Sequence, residues 1–146
     1  MLTDLILETF TLNGALLSAG DELVNDIGLS SARWQVLGAL ALENRSLTVA
    51  QISRRMGLSR QAVQRLANDL EAEGILTYQE NPDHKRSRLA TLTKQGEAAY
   101  SKADTRQIDW VNGLSKGIRR RDIQTAMKVL QSINDRLQQN ANDEEN

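Results

Sequence analysis

Residues 47–93 read LTVAQISRRMGLSRQAVQRLANDLEAEGILTYQENPDHKRSRLATLT, and they constrain the fold more than any other stretch of the chain. Thr48 is placed to cap a helix, and Gln51 three residues later completes a capping box. Leu47 and Ile52 occupy the two positions of a hydrophobic staple, and Val49, Ile52 and Met56 are spaced to face inward. Gly57 stands where a left-handed residue ends the helix. Ser59 then caps a second helix, with Leu58 and Val63 in the same staple positions. Two capped helices joined by a turn of about three or four residues form a helix-turn-helix.

The second helix is expected over residues 60–73. Val63, Leu66, Ala67 and Leu70 follow i, i+3, i+4, i+7 and define its buried face. At 100° per residue the opposite face carries Gln61, Arg65 and Asn68, with Gln64 at its edge and Arg60 in the first turn. Gly74 closes the helix. Residues 75–80 and 88–92 are expected to pair as antiparallel strands with Leu76, Tyr78, Ala90 and Leu92 inward. Asn81-Pro82-Asp83 is turn chemistry, and His84-Lys85-Arg86-Ser87-Arg88 makes a basic tip.

Charge is segregated along this chain of net charge −1. Residues 1–43 carry six acids and one base; residues 44–68 carry no acid and five bases, Arg45, Arg54, Arg55, Arg60 and Arg65. Residues 84–96 add Lys85, Arg86, Arg88 and Lys94 without an acid. A solvated helix face normally mixes signs, so this distribution points to a local surface for a polyanion. Gln pairs in bidentate fashion with adenine in the major groove and Arg with guanine. A helix N-terminus offers free N–H groups to phosphate, and a basic hairpin reaches the backbone or an adjacent minor groove. Arg60, Gln61, Gln64 and Arg65 are therefore candidates for base or near-base contacts. Thr48, Arg54, Ser59, Lys85, Arg86 and Arg88 are candidates for backbone contacts.

The flanks are helical. Over residues 2–25, Leu5, Thr9, Leu12 and Leu16 lie on one stripe, which Ile6, Phe10 and Leu17 widen. Such a helix meets more than one partner; the alternative is a core helix of a monomer. Gly20, Gly28, Ser30 and Ser31 are expected to punctuate its end and the restart. A helix over residues 31–43 turns Trp34, Leu37, Leu40 and Ala41 inward, with Trp34 in the core or, alternatively, in a ligand pocket. Thr93 caps a helix over about 94–114, with Ala99, Tyr100, Ala103, Trp110, Val111 and Leu114 apolar. Arg119, Arg120 and Arg121 are expected to face solvent. The last helix, about 119–140, carries Ile123, Met127, Leu130, Ile133 and Leu137, a seam for another helix. Residues 141–146 are expected to form a flexible tail.

Composition excludes several classes. Zero cysteines leave no disulfide, thiolate metal site or thiol switch. One histidine, His84, leaves a metal site without ligands, and no cofactor is expected. No Gly-rich phosphate loop or HExxH cluster is present, so an enzyme is not expected. No apolar run approaches the roughly 20 residues of a membrane span. The N-terminus lacks a basic n-region, so no signal peptide is expected and the cytoplasm is favoured.

The central stretch resembles the MarR family of winged helix-turn-helix transcriptional regulators. The matching residues are LTVAQI at 47–52, GLSRQAV at 57–63, LEAEGIL at 70–76, the wing NPDHKRSR at 81–88, and Leu92-Thr93 with Gly96; upstream, ARWQVL at 32–37 resembles the family's second helix. The motifs cover about residues 30–97, and the helices outside agree in order and length. The resemblance implies a mainly α fold with an α+β wing. It also implies a DNA-binding domain over 30–97, with residues 1–29 and 98–140 forming a dimerisation region. It implies a prokaryotic homodimer on double-stranded DNA, usually a repressor, released by a small-molecule effector bound between the dimer region and the winged helix. The family's wing carries Asp-x-Arg. Here Arg86 is in place, His84 holds the Asp position and Asp83 comes one residue earlier, so an Asp–Arg brace for the wing is in question. The alternative function is a winged-helix protein-interaction module without specific DNA binding.

Overall fold

The computed structural model describes residues 1–144, with side chains described through residue 141. Six helices and one two-stranded sheet follow in the order α1 (Leu2–Val24), α2 (Ser31–Glu43), α3 (Val49–Met56), α4 (Arg60–Ala72), β1 (Leu76–Gln79), β2 (Leu89–Leu92), α5 (Lys94–Leu114) and α6 (Arg120–Glu144). A single 3₁₀ turn, Asn25–Ile27, links α1 to α2. The chain divides into two units, Met1–Ile108 and Asp109–Asn146.

In the first unit α2 is the central element: it packs against α1, α3, α4 and β2. It buries Val36, Leu37, Ala39 and Leu40, and the core continues through Leu47, Ile52, Val63, Leu70, Leu76 and Ala90. Aliphatic residues build this core, and burying each large one contributes about 1.5–3 kcal/mol. Two expectations for α2 shift. Trp34 is half-buried and packs on the core rather than within it, and Ala41 is half-buried while Val36 and Ala39 are closed off.

Gly20 corrects a further expectation, its own role at the helix end, while the expected span 2–25 holds. It does not end α1, which continues to Val24. A Cβ at this position would overlap the Ser31 hydroxyl. Glycine therefore lets α1 and α2 approach, and the contact is polar: Ser31 Oγ donates to the Leu17 carbonyl at 2.6 Å, and Ser31 N donates to Asp21 Oδ1 at 2.6 Å. The restart itself matches its signals: Gly28 takes a left-handed conformation, and the Ser30 side chain caps α2 by accepting from Arg33 N.

The strands pair antiparallel with Leu76 opposite Leu92 and Tyr78 opposite Ala90. Leu47 joins them: its N–H donates to the Ala90 carbonyl at 3.0 Å and its carbonyl accepts from Ala90 N at 2.7 Å. Leu47, two residues before α3, is thus stitched to the wing, which the staple pattern does not reveal. At the other end of β2, the Thr93 hydroxyl donates to the Gly74 carbonyl at 2.6 Å and accepts from Gly96 N at 3.1 Å. Gly96 lets α5 approach so closely that a Cβ would overlap the Ile75 carbonyl oxygen. One threonine and one glycine therefore join the end of α4, the sheet and the start of α5.

Further along α5, Arg106 forms a bidentate pair with Asp26 and donates to the Leu23 carbonyl at 2.8 Å. The Arg106 hydrogen bond holds the Asp26 carboxyl below its ordinary range, against a smaller opposing effect of desolvation. In the second unit, Arg119 pairs with Asp122 at 2.7 Å, and Arg119, Arg120 and Arg121 are exposed. Helix α6 continues through Glu144, four residues past its expected end; the rest of the expected tail, 145–146, lies outside the described residues. Leu5, Leu12 and Leu16 on α1 and Ile123, Met127, Leu130 and Leu137 on α6 are exposed, while Ile133 is half-buried. The Thr9 hydroxyl donates to the Leu5 carbonyl at 2.7 Å, within its own helix.

Candidate nucleic-acid interface

The helix-turn-helix forms through the anticipated caps. Thr48 Oγ1 accepts from Gln51 N at 3.2 Å, and Gln51 Oε1 accepts from Thr48 N at 2.8 Å, closing the box at the start of α3. Gly57 takes the left-handed conformation that ends α3. Ser59 caps α4 by accepting from Ala62 N at 3.1 Å. Of the second staple, Val63 is fully buried, whereas Leu58 remains 39% exposed. Val63, Ala67 and Leu70 are buried and Leu66 half-buried, so Arg60, Gln61, Gln64, Arg65 and Asn68 are turned outward.

A cleft of about 800 Å³ opens between the outward face of α4 and the wing. Thr48, Ser59, Arg60, Gln61, Gln64, Arg65, Arg86 and Arg88 all line it. The fold thus gathers residues 40 positions apart in sequence onto one concave surface. Two candidates lie outside this lining: Arg54, exposed in the last turn of α3, and Lys85, exposed at the wing tip. Among the described residues, none of Arg54, Arg60, Arg65, Lys85, Arg86 and Arg88 is engaged in an ion pair. Four unneutralised cations lining one cleft, with Arg54 and Lys85 unpaired outside the lining, make an anion-attracting surface on a chain of net charge −1.

Two other arginines of the basic stretch are spent elsewhere. Glu43, at the end of α2, accepts from Arg45 Nε at 2.9 Å and from Arg55 at 2.6 Å. The Arg45 hydrogen bond, with Arg55 beside it, holds the Glu43 carboxyl below the usual range despite desolvation. At the far end of α4, Arg33 pairs with Glu73. These pairs fix α2 against both helices of the motif and leave the cations of the cleft unpaired.

The wing is braced without an aspartate–arginine pair. Asn81 does that work: its Nδ2 donates to the Ser87 carbonyl at 2.9 Å, its Oδ1 accepts from Asp83 N at 3.0 Å, and its own carbonyl accepts from His84 N at 3.2 Å. Asp83 contributes its backbone only, and no ion pair to Arg86 forms. The open question left by His84 is answered by a residue that the sequence marks only as turn chemistry.

Tyr78 is a cleft residue that the sequence pattern does not mark. It was expected simply as an inward strand residue. It is half-buried, but it also lines the cleft, and the Arg88 guanidinium lies over its ring at 4.1 Å from the centroid. Its hydroxyl accepts from Gln64 Nε2 at 3.1 Å, and the same amide donates to Asn68 Oδ1 at 2.8 Å. Burial pushes the Tyr78 phenol up from its ordinary value, with the Gln64 hydrogen bond acting the other way. A signal existed: Tyr78 lies opposite Ala90, so Arg88, two residues back, is its diagonal neighbour on the same face.

The MarR-family model matches residues 27–87, the span from the 3₁₀ turn to the wing tip. An uncharacterised protein of Mycobacterium bovis is 38% identical over 114 residues, which cover 78% of each chain. The transcriptional regulator TcaR of Staphylococcus aureus is 28% identical over 124 residues, covering 83% of this chain and 80% of TcaR. Among solved structures, CouR of Rhodococcus jostii bound to p-coumaroyl-CoA superposes with a TM-score of 0.79 at 23% identity, over 90% of this chain and 92% of CouR. Together with the capped helix-turn-helix and its wing, these likenesses establish that the chain belongs to the MarR family of winged-helix transcriptional regulators.

Proposed function

We propose that this regulator binds double-stranded DNA as a symmetric homodimer on a pseudo-palindromic operator, and that it represses transcription until a small-molecule effector releases it. The observation that carries the reading is the cleft in which Arg60, Arg65, Arg86 and Arg88 converge with Gln61 and Gln64. Helix α4 enters the major groove, the wing follows the flanking backbone, and the half-sites lie about one helical turn, roughly 34–36 Å, apart. Arg60, Gln61, Gln64 and Arg65 serve as base or near-base contacts. Thr48, Arg54, Ser59, Lys85, Arg86 and Arg88 serve the phosphates. The stripes Leu5, Thr9, Leu12 and Leu16 on α1 and Ile123, Met127, Leu130, Ile133 and Leu137 on α6, exposed except for the half-buried Ile133, supply the dimer contacts. The p-coumaroyl-CoA bound to CouR supports a small-molecule effector, which would act by shifting the dimer toward a conformation with different half-site spacing.

Selection of bound duplexes from random DNA, followed by mobility-shift titration over a range of salt, tests this. Arg86→Ala should weaken binding to all sequences alike and lower the salt slope by about one unit. Arg65→Ala should instead change the preferred base at one or two positions. Unchanged affinity in both variants sinks the assignment, and tight binding to a protein with no sequence preference for DNA replaces it.

A further inference from the structure

We propose that Tyr78 is the positioning residue of the DNA-contacting surface: its ring seats Arg88 at the wing root, and its hydroxyl holds Gln64 so that Gln64 presents only a hydrogen-bond acceptor to the groove. The inference rests on the DNA-binding reading above and sharpens it.

Three contacts meet around Tyr78, and one of them, from Gln64, links α4 to the wing across the cleft. On β1, Tyr78 carries the Arg88 guanidinium over its ring at 4.1 Å. A guanidinium on an aromatic face keeps its N–H edge free for a phosphate, while the stack removes much of the freedom of a long side chain. On α4, Gln64 donates to Tyr78 Oη at 3.1 Å and to Asn68 Oδ1 at 2.8 Å. A primary amide has two N–H donors and one carbonyl acceptor. Both donors are therefore committed inside the protein, and the carbonyl oxygen remains for the groove.

This has a consequence for sequence reading. Bidentate recognition of adenine by glutamine requires a donor and an acceptor together. Gln64 keeps only the acceptor, which matches the exocyclic amino groups of cytosine and adenine and no group that guanine or thymine presents in the major groove. Asn68 is the complement. Its Oδ1 is taken by Gln64, so its Nδ2 is the group left to face outward, a donor for a phosphate or a base carbonyl. The wing and the recognition helix thus share one rigid corner, and the wing need not pair Asp83 with Arg86 to hold its cation in place.

Two variants separate the two roles of the ring. Tyr78→Phe keeps the aromatic face and removes the hydroxyl. It should leave the salt slope as in the wild type, reduce affinity for the selected duplex by about fivefold, and widen the base preference at the position identified by Gln64→Ala. Tyr78→Leu removes both contacts. It should in addition lower the salt slope by about one unit, as Arg88→Ala does, because Arg88 no longer holds its phosphate. Melting temperatures run in parallel show that each variant is folded. For a variant that does not fold, the side-chain resonances of wild-type Arg88, shifted upfield by the ring, and those of Gln64, altered in Tyr78→Phe, are read instead.

Replacing adenine by purine, or cytosine by 2-pyrimidinone, in the base pair identified by Gln64→Ala deletes its exocyclic amino group; if wild type and Gln64→Ala lose the same affinity on that change, the acceptor assignment is wrong. If Tyr78→Phe and Tyr78→Leu match wild type in preference and salt slope, while Arg88→Ala still lowers the slope, Tyr78 has no positioning role. If wild-type protein binds no duplex selectively at any salt, the DNA-binding reading falls and the role of Tyr78 with it. The first two results leave the DNA-binding reading standing.

Discussion

A few residues carry constraints out of proportion to their size. Gly96 is where the packing of α5 on the sheet admits no side chain, since a Cβ would overlap the Ile75 carbonyl oxygen. Gly96→Ala must move backbone against backbone, so we expect a loss of about 2–3 kcal/mol and a melting temperature lower by roughly 5–10 °C. Thr48 illustrates a smaller effect. Its hydroxyl closes the capping box of α3, and Thr48→Ala should cost about 1 kcal/mol, visible as a shift in the denaturant midpoint with an unchanged m-value. Both residues stand out in the sequence, but for different reasons. Thr48 is identified by Gln51 three positions on, a local relation. Gly96 gains its meaning from Ile75, a neighbour only after the sheet has formed.

Elements are held to one another by polar contacts that local pattern does not record. Arg106 on α5 pairs with Asp26 beyond the end of α1 and donates to Leu23. Its hydrogen bond lowers the Asp26 pKa, so the folded state binds that proton less readily than the unfolded chain. The stabilisation is therefore complete above the ordinary carboxylate value of about 3.9 and is lost as pH falls through the folded value. Asp26→Asn should lower the melting temperature near pH 6, and the gap to wild type should begin to narrow below about pH 4 and close as pH falls through the folded value. The wing gives a second case. Asn81 is bonded to Ser87 and to Asp83 N. Asn81→Ala should speed amide exchange at Asp83 and in the residues around Ser87 by about tenfold. Changing the Asp83 side chain to alanine should leave that exchange rate alone, because only its backbone takes part.

At the scale of the whole molecule, the long terminal helices expose apolar side chains that the first unit's core does not need. Leu12 is 51% exposed and Leu130 43% exposed. In the proposed symmetric dimer each substitution acts twice. Leu130→Glu or Leu12→Glu should therefore weaken self-association roughly 100-fold or more. Analytical ultracentrifugation reads this directly, and a wild-type protein that sediments as a monomer at micromolar concentration overturns the dimer. Operator binding should fall with the dimer, since two half-sites bound independently lose the gain of effective concentration.

The helix-turn-helix, its caps, the outward face of α4 and the basic wing tip were legible in the sequence by itself. Each depends on relations within one or two turns: a cap and its third residue, a stripe at 3.6-residue period, a glycine where the backbone must turn left-handed. The tertiary structure alone decided which of those outward side chains are free. It committed Arg45 and Arg55 to Glu43, left Arg60, Arg65, Arg86 and Arg88 unpaired around one cleft, and gave Gln64 to Tyr78. The physical reason is that donors and charges find partners by distance in space. Residues 14 positions apart, such as Gln64 and Tyr78, become neighbours only when α4 and the sheet have packed on their shared core.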